Sequence, residues 1–323
     1  MRPSRPLTPL AGLVLLLLVA TAVPYAAPEP ARGGLANARH PYLGVTLISR
    51  VVASPRLARL HIAQVDLRAP GVRLALTPPA GGREVVRERT VDALVRAHAQ
   101  LAVNGHFFLP FPSDDAEAWV LGLAATDGRV FSDFETPEQS YALVAQAPAL
   151  NLDGRNRARI VHRRPGPDTR RVRERVTLWN TVAGSAQILT SGQVTIPAYR
   201  DDAHPRGQLT PGPDGRYSNA RSWYDVVTSR TVAGLSRNRR TLTLVAAEGR
   251  GGTEGLTVGE LATLLARDYG VWDAINLDGG GSTTMAWIDP ATELPALLNT
   301  SSDSPSGRRV AGSLLVFARR MAP

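Results

Sequence analysis

Short strand-like runs broken by Pro and Gly fill this chain, and only two stretches carry helical spacing. Runs rich in branched and apolar residues occupy 42–51, 58–67, 72–76, 101–103, 141–145, 176–180, 187–190, 241–247, 273–277, 283–288 and 313–318. Thr90 stands where a cap would open a helix over 91–100, with Leu94 and Val95 on one face. Thr257 opens a second helix. Glu260 sits at its capping-box position, Leu261, Leu264 and Leu265 recur at helical spacing, and Gly270 ends it. Strands and helices do not alternate strictly. The order therefore predicts an α+β fold, a single domain over 41–320 around a large mixed β-sheet with a few packed helices. Two segments interrupt the pattern. Residues 155–175 are dense in Arg and Pro and read as an exposed loop or hairpin, and 199–219 as a long surface loop.

Within that order, the run Asn276-Leu277-Asp278-Gly279-Gly280-Gly281-Ser282-Thr283-Thr284 concentrates chemistry. A strand delivers a carboxylate into three glycines, and hydroxyl side chains follow. Successive glycines cost backbone entropy and bury nothing, so they mark a close approach or a positive φ. Consecutive N–H groups in such a turn can form an anion-binding nest beside Asp278. An ordinary turn, with Asp278 bonded to its own backbone, has the same letters. A nucleotide P-loop is excluded, because Ser282 follows Gly281 with no lysine between.

Composition narrows the classes. The 323 residues, 43% hydrophobic, are enough to bury a sizeable core. All 37 basic residues are arginine and the net charge is +9. Arginine bias of this kind accompanies GC-rich coding; no nucleic-acid motif accompanies it and aromatics are 6%, so no nucleic-acid partner is expected. The absence of cysteine excludes disulfides, thiolate metal sites, cysteine nucleophiles and a lipidated cysteine. Residues 1–22 read as a secretory signal peptide. Arg2 and Arg5 precede an apolar stretch from Leu10 to Ala22, with Ala20-Thr21-Ala22 as a small-residue cleavage site. The mature chain is then secreted or extracytoplasmic, and membrane contact arises only through an uncleaved segment. Residues 23–40, rich in Pro, Ala and Gly, read as a flexible lead-in.

Several separated motifs then fall into one order. They are Ala102-Val103-Asn104-Gly105-His106-Phe107-Phe108, residues 183–189, Arg230-Thr231-Val232-Ala233-Gly234, Glu248-Gly249-Arg250 leading into 255–262, the 276–284 run, and residues 308–317. The set resembles the phosphodiester glycosidase family over about residues 90–318. That family includes bacterial exopolysaccharide-related proteins. The resemblance implies hydrolysis of a sugar-1-phosphodiester at the anomeric C1–O bond, releasing free sugar and a phosphate monoester. The transition state for glycosyl cleavage is oxocarbenium-like, so a nearby carboxylate helps. Asp278 is the primary carboxylate in this reading, Glu248 a second one and His106 a proton carrier near neutral pH. Arg230 and Arg308 bind phosphate, Asn104 orients a hydroxyl or phosphate oxygen, and Thr231, Gly279, Gly280, Gly281, Ser282 and Thr283 complete the substrate contacts. Each has a plainer alternative: a turn residue, a packed histidine or a solvated ion pair. The chain departs from the family in the arginine-rich segment 155–175, in the insertion 199–219 and at two single positions. Glu248 replaces a common Asp, which moves the carboxylate by about 1–1.5 Å, and His106 stands where relatives often have a small or acidic residue.

Other chemistry stays open at this level. Asp114-Asp115 and Asp201-Asp202 can offer oxygen ligands to Ca²⁺, although solvated turns are commoner, and no His cluster has zinc spacing. A non-catalytic glycan-binding or polysaccharide-assembly protein would keep the site shape and lose the carboxylate. A metal-dependent phosphodiesterase would need a tighter set of Asp, His and Asn ligands.

Overall fold

The computed structural model describes residues 38–134, 147–196 and 224–321. An eight-stranded sheet forms its centre. Its strands lie in the order Ala38–Tyr42, Val45–Val52, Ala58–Asp66, Thr241–Glu248, Arg230–Ser236, Val271–Asn276, Ala186–Thr190 and Gln193–Val194. Alternation along the strands gives the sheet two apolar faces. Leu242, Leu244 and Ala246 point to one side, and Val245 and Ala247 to the other.

The first face packs on a five-stranded sheet whose middle strands are Met285–Ile288, Leu101–Asn104 and Ser313–Phe317, through Val103, Met285, Leu314 and Val316. The strands Ala149–Leu152, Ala158–Val161 and Asn180–Ala183 close the same core through Leu150, Leu152 and Val182. The second face is covered by the helix Val258–Tyr269, with Leu261, Leu264 and Leu265 buried. The helix Thr90–Ala97 covers the far side of the five-stranded sheet against Ala102, Ala286 and Leu315. The layers are thus helix, sheet, sheet, helix. Full burial of each leucine stabilises by roughly 1.5–3 kcal/mol.

The description is sheet-rich with two α-helices, and the expected mixed sheet is corrected: every strand pairing among the described residues is antiparallel. The reason lies in the second helix. It joins Thr241–Glu248 to Val271–Asn276, which run in the same direction. Arg230–Ser236 lies between those two strands and is antiparallel to both.

Other expectations shift locally. The capping box is formed, with Glu260 N donating to Thr257 Oγ1 at 3.1 Å and Thr257 N to Glu260 Oε2 at 2.8 Å; Gly270 ends the helix at φ 64°. In the first helix Thr90 is not the cap. Arg89 holds that position without a side-chain bond, and the Thr90 hydroxyl instead accepts from Ser313 Oγ at 3.1 Å. His98 then turns left-handed and stops the helix before residue 100. The strand expected at 176–180 begins only at Asn180, because Asn151 side-chain atoms bond Thr177 O and Trp179 N in place of a ladder. The strand expected from 283 starts at Met285, after a 3₁₀ turn at Gly280–Ser282. Residues 155–175 contain the strand Ala158–Val161 and a bridge between Arg163 and Val172, the hairpin alternative. Residues 38–40, assigned to the lead-in, pair as a strand. The segments 1–22, 141–145 and 199–219 lie outside the described residues. Among the described residues no helix is long and apolar enough to cross a membrane.

Candidate active site

Four strand ends converge where the two sheets meet. Asn104 ends the middle strand of the five-stranded sheet, Arg230 begins its strand in the large sheet, and Glu248 and Asn276 end the strands on either side of it. The glycine run follows Asn276 directly. Asp278 N donates to Gly105 O at 3.1 Å, and Gly280 N to Ser229 O at 2.8 Å, so the turn is stitched to both sheets.

Asn104 is the hub of this junction. Its Nδ2 donates to Asp278 O at 2.7 Å, and its Oδ1 accepts from Thr231 Oγ1 at 2.8 Å and Thr284 N at 3.0 Å. Thr231 Oγ1 also lies 3.3 Å from Thr283 Oγ1. Asn104, Thr231 and Thr283 are fully buried. The structure therefore gives these three a positioning role, holding the turn, where a direct substrate contact was expected. A buried amide with its acceptor sites filled has little left to offer a ligand.

The glycine run also differs from an open nest. Gly280 N is used by Ser229 O, Ser282 N by Gly279 O and Thr283 N by Gly280 O. The glycines are needed for close approach. A Cβ on Gly279 would lie 3.0 Å from Ser229 O, and one on Gly281 would lie 2.6 Å from Arg308 Cζ. Gly280 takes φ 57°, which other residues adopt at a cost.

Asp278 is 9% exposed. Burial raises its pKa from 3.8 to about 7, against the Ser282 hydroxyl, the Arg308 charge and the Gly279 N–H, which pull the other way. The Ser282 hydroxyl is near enough to act on the acid, yet its oxygen makes no well-aligned hydrogen bond. Arg308 lies across Gly281, pairs with Asp303 Oδ1 at 2.7 Å and stacks 4.9 Å from the Phe111 ring centroid. It is the partly exposed cation beside Asp278. Arg230 is buried next to the turn. Its Nε donates to Leu256 O at 3.1 Å and another guanidinium N–H to Val226 O, and burial lowers its pKa to about 10.

His106 is buried. Desolvation lowers its pKa to about 4, so it is neutral at pH 7 and does not carry a proton by titrating there, as the sequence had suggested. Glu248 is saturated. It accepts from His61 Nε2 at 2.8 Å, Thr300 N at 2.8 Å and Arg59 at 3.2 Å. Burial raises its pKa, but these donors outweigh it and the net shift is downward. Ser49 Oγ, 3.2 Å from His61 Nδ1, extends this row across the sheet. The second carboxylate therefore anchors the 299–308 loop at Thr300. Asn299 ties the same loop to the glycine run, bonding Thr283 O and Met285 N.

His61, Arg59, Ser229 and Asn299 went unnoticed in the sequence. None sits in a motif, and only strand register brings His61 to Glu248. Four buried polar atoms around the turn lack a partner among the described residues: His106 Nε2, Asn276 Oδ1, Ser282 Oγ and Thr284 Oγ1. Buried polar groups are usually paired, so such a cluster marks a site built to meet something else. Among the described residues no group of three His, Asp or Glu is arranged to hold a metal ion. Asp115 is paired with Arg83 at 2.8 Å, and Asp201-Asp202 lie outside the described residues.

The profile of the phosphodiester glycosidase family matches residues 97–317. The chain belongs to that family. The match takes in Asn104, His106, Arg230, Glu248, the glycine run and Arg308, the residues just described. No curated protein matches the chain in sequence. Among solved structures, the catalytic domain of zebrafish N-acetylglucosamine-1-phosphodiester α-N-acetylglucosaminidase, auto-inhibited by its pro-peptide, is similar at 19% identity and TM-score 0.58. It covers 86% of this chain and 84% of its own. A hypothetical protein from Synechocystis is similar at 15% identity and TM-score 0.57, covering 85% of this chain, which spans 62% of that protein. A putative exported protein from Burkholderia pseudomallei has 16% identity and TM-score 0.53, with 83% and 75% covered. At these identities the likeness is one of fold. Membership of the family supports a glycosidase-type hydrolase.

Proposed function

We propose that this chain hydrolyses the anomeric C1–O bond of a sugar-1-phosphodiester, releasing free sugar and a phosphate monoester. The observation that carries the reading is a buried carboxyl, Asp278, with a pKa of about 7, beside the partly exposed cation Arg308. A general base works best when its pKa lies near the working pH. Ionised Asp278 accepts a proton from water as the water oxygen bonds to C1. The C1–O electron pair leaves with the phosphate monoester. A phosphate leaves readily without full protonation, and Arg308 balances its charge through a planar fork. Neutral His106 and the Ser282 and Thr284 hydroxyls offer hydrogen bonds to the sugar or phosphate.

The name of the zebrafish enzyme makes N-acetylglucosamine-1-phosphodiesters the first substrates to try. Asp278→Asn should lower kcat on UDP-N-acetylglucosamine or a methyl phosphodiester by at least 100-fold, with the fold intact by circular dichroism. Near-wild-type kcat would remove Asp278 from the reaction. Arg308→Met should lower kcat/KM on phosphodiesters more than on neutral glycosides, and equal losses would remove it from phosphate binding. The leader at 1–22 supports export, which N-terminal sequencing of the mature protein checks.

A further inference from the structure

A concavity of ≈ 680 Å³ lies at the end of the large sheet opposite the candidate active site. The turn after Arg230–Ser236 brings Asn238 and Arg239 to its wall, and that strand begins at the candidate active site. At ~3.3 Å per residue the two sites are separated by roughly 20–25 Å. The other walls are the hairpin turn between Ala149–Leu152 and Ala158–Val161, the 67–72 loop and residues 175–177. Asn156 Nδ2 donates to Val72 O at 2.7 Å and joins the hairpin turn to the loop, so the walls are tied to one another.

The lining is one-sided in charge. Arg68, Arg155, Arg159, Arg175 and Arg239 line it, and none has an acidic partner among the described residues. Among the described residues the single carboxylate in the lining is Asp153, and it is spent. It accepts from Arg157 Nε at 2.6 Å and from the N–H groups of Arg155 and Arg157 at 2.9 Å each. Like charges gathered in a concave wall repel one another and focus a positive potential, an arrangement that an anionic ligand relieves. Several forks around one hollow suit a ligand with several planar anionic groups. Among the described residues the lining carries no aromatic side chain on which a base could stack, and it does carry amide and hydroxyl groups, Asn238 and Thr177 among them.

We infer that this concavity binds an acidic glycan chain, one that repeats carboxylate or phosphate groups along its length, as a site separate from the one that carries out hydrolysis. Binding there does not depend on the proposed reaction and can be measured without it.

The test is isothermal titration of the full chain at 150 mM salt with a decagalacturonate, a phosphodiester-linked oligosaccharide, inorganic phosphate and a 20-nucleotide single-stranded DNA. Arg68→Gln/Arg155→Gln/Arg175→Gln removes three exposed groove arginines. Arg129→Gln/Arg164→Gln/Arg170→Gln removes three exposed ones elsewhere. The groove variant should bind at least one glycan tenfold or more weakly, with the control variant within twofold of wild type. Which glycan responds distinguishes carboxylate from phosphate. Unchanged affinity in the groove variant, or an equal loss in both variants, would overturn the inference. So would DNA binding tighter than either glycan. Arg155→Gln alone, at the hairpin turn, should show a smaller loss in the same direction and serves if the triple variant folds poorly.

Discussion

Replacing Asp278 with Asn should make the protein more stable, and only above a definite pH. The folded-state pKa of about 7 lies above the ordinary 3.8. The folded chain therefore holds this proton more tightly than the unfolded chain does. The stability that follows is fully present below pH 3.8 and is lost as pH rises through about 7. A shift of about three units corresponds to ~4 kcal/mol at 1.36 kcal/mol each. Relaxation around the buried charge reduces this, so about 2–4 kcal/mol is the expected range. Asn keeps the shape and does not titrate. Urea denaturation of both proteins from pH 4 to pH 8.5 should show the variant gaining about 2–4 kcal/mol over wild type across that range, steadily from pH 4 to about 7 and with no further gain above it. Near pH 8 this is a rise in Tm of roughly 4–8 °C. The same variant should be inactive, a trade of stability for function at one residue. A stability gap that stays flat with pH would refute the claim that burial raises this carboxyl.

Glu248 should behave with the opposite sign. Its folded pKa is depressed, so the stability it contributes is present above pH 4.5 and is lost as pH falls through the lower folded value. Glu248→Gln should cost about 1–3 kcal/mol at pH 7, read by the same denaturation series, and the cost should shrink toward pH 3. Gly281→Ala places a Cβ 2.6 Å from Arg308 Cζ, so the flexible arginine must swing away. Losing one charge-assisted contact of about 1.5–3 kcal/mol predicts a ~10–100-fold fall in kcat/KM with little change in Tm. Wild-type kcat/KM should rise with pH through about 7 as Asp278 ionises, and the inflection should be read in steady-state assays from pH 5 to 9.

The parts legible in the sequence were those with local causes. The second helix was visible because Thr257, Glu260 and Gly270 cap it and its leucines recur on one face. Most strands of the large sheet were visible as apolar runs. Strand direction was not, because the position of Arg230–Ser236 between two strands joined by a helix is a matter of long-range pairing. The first helix misled for a related reason: Thr90 looks like a cap, and its hydroxyl is claimed by Ser313, 223 residues away. At the site the motifs named residues that the fold brings to one junction, while their hydrogen-bond partners were hidden. Asn104 reads as a ligand contact until its partners Thr231, Thr284 and Asp278 are seen to fill it. His106 reads as a neutral-pH proton carrier until burial is known. Glu248 reads as a second catalytic carboxylate until His61, Arg59 and Thr300 are seen around it.

Water's oxygen marks the atom at which the bond is hydrolysed. Hydrolysis of an N-acetylglucosamine-1-phosphodiester in H₂¹⁸O, followed by mass spectrometry of both products, tells which bond breaks. Cleavage at C1–O puts ¹⁸O at C1 of the freed sugar and none in the phosphate monoester, with incorporation abolished in Asp278→Asn. Label in a phosphate group, with sugar-1-phosphate as the product, would mean P–O cleavage and would contradict it.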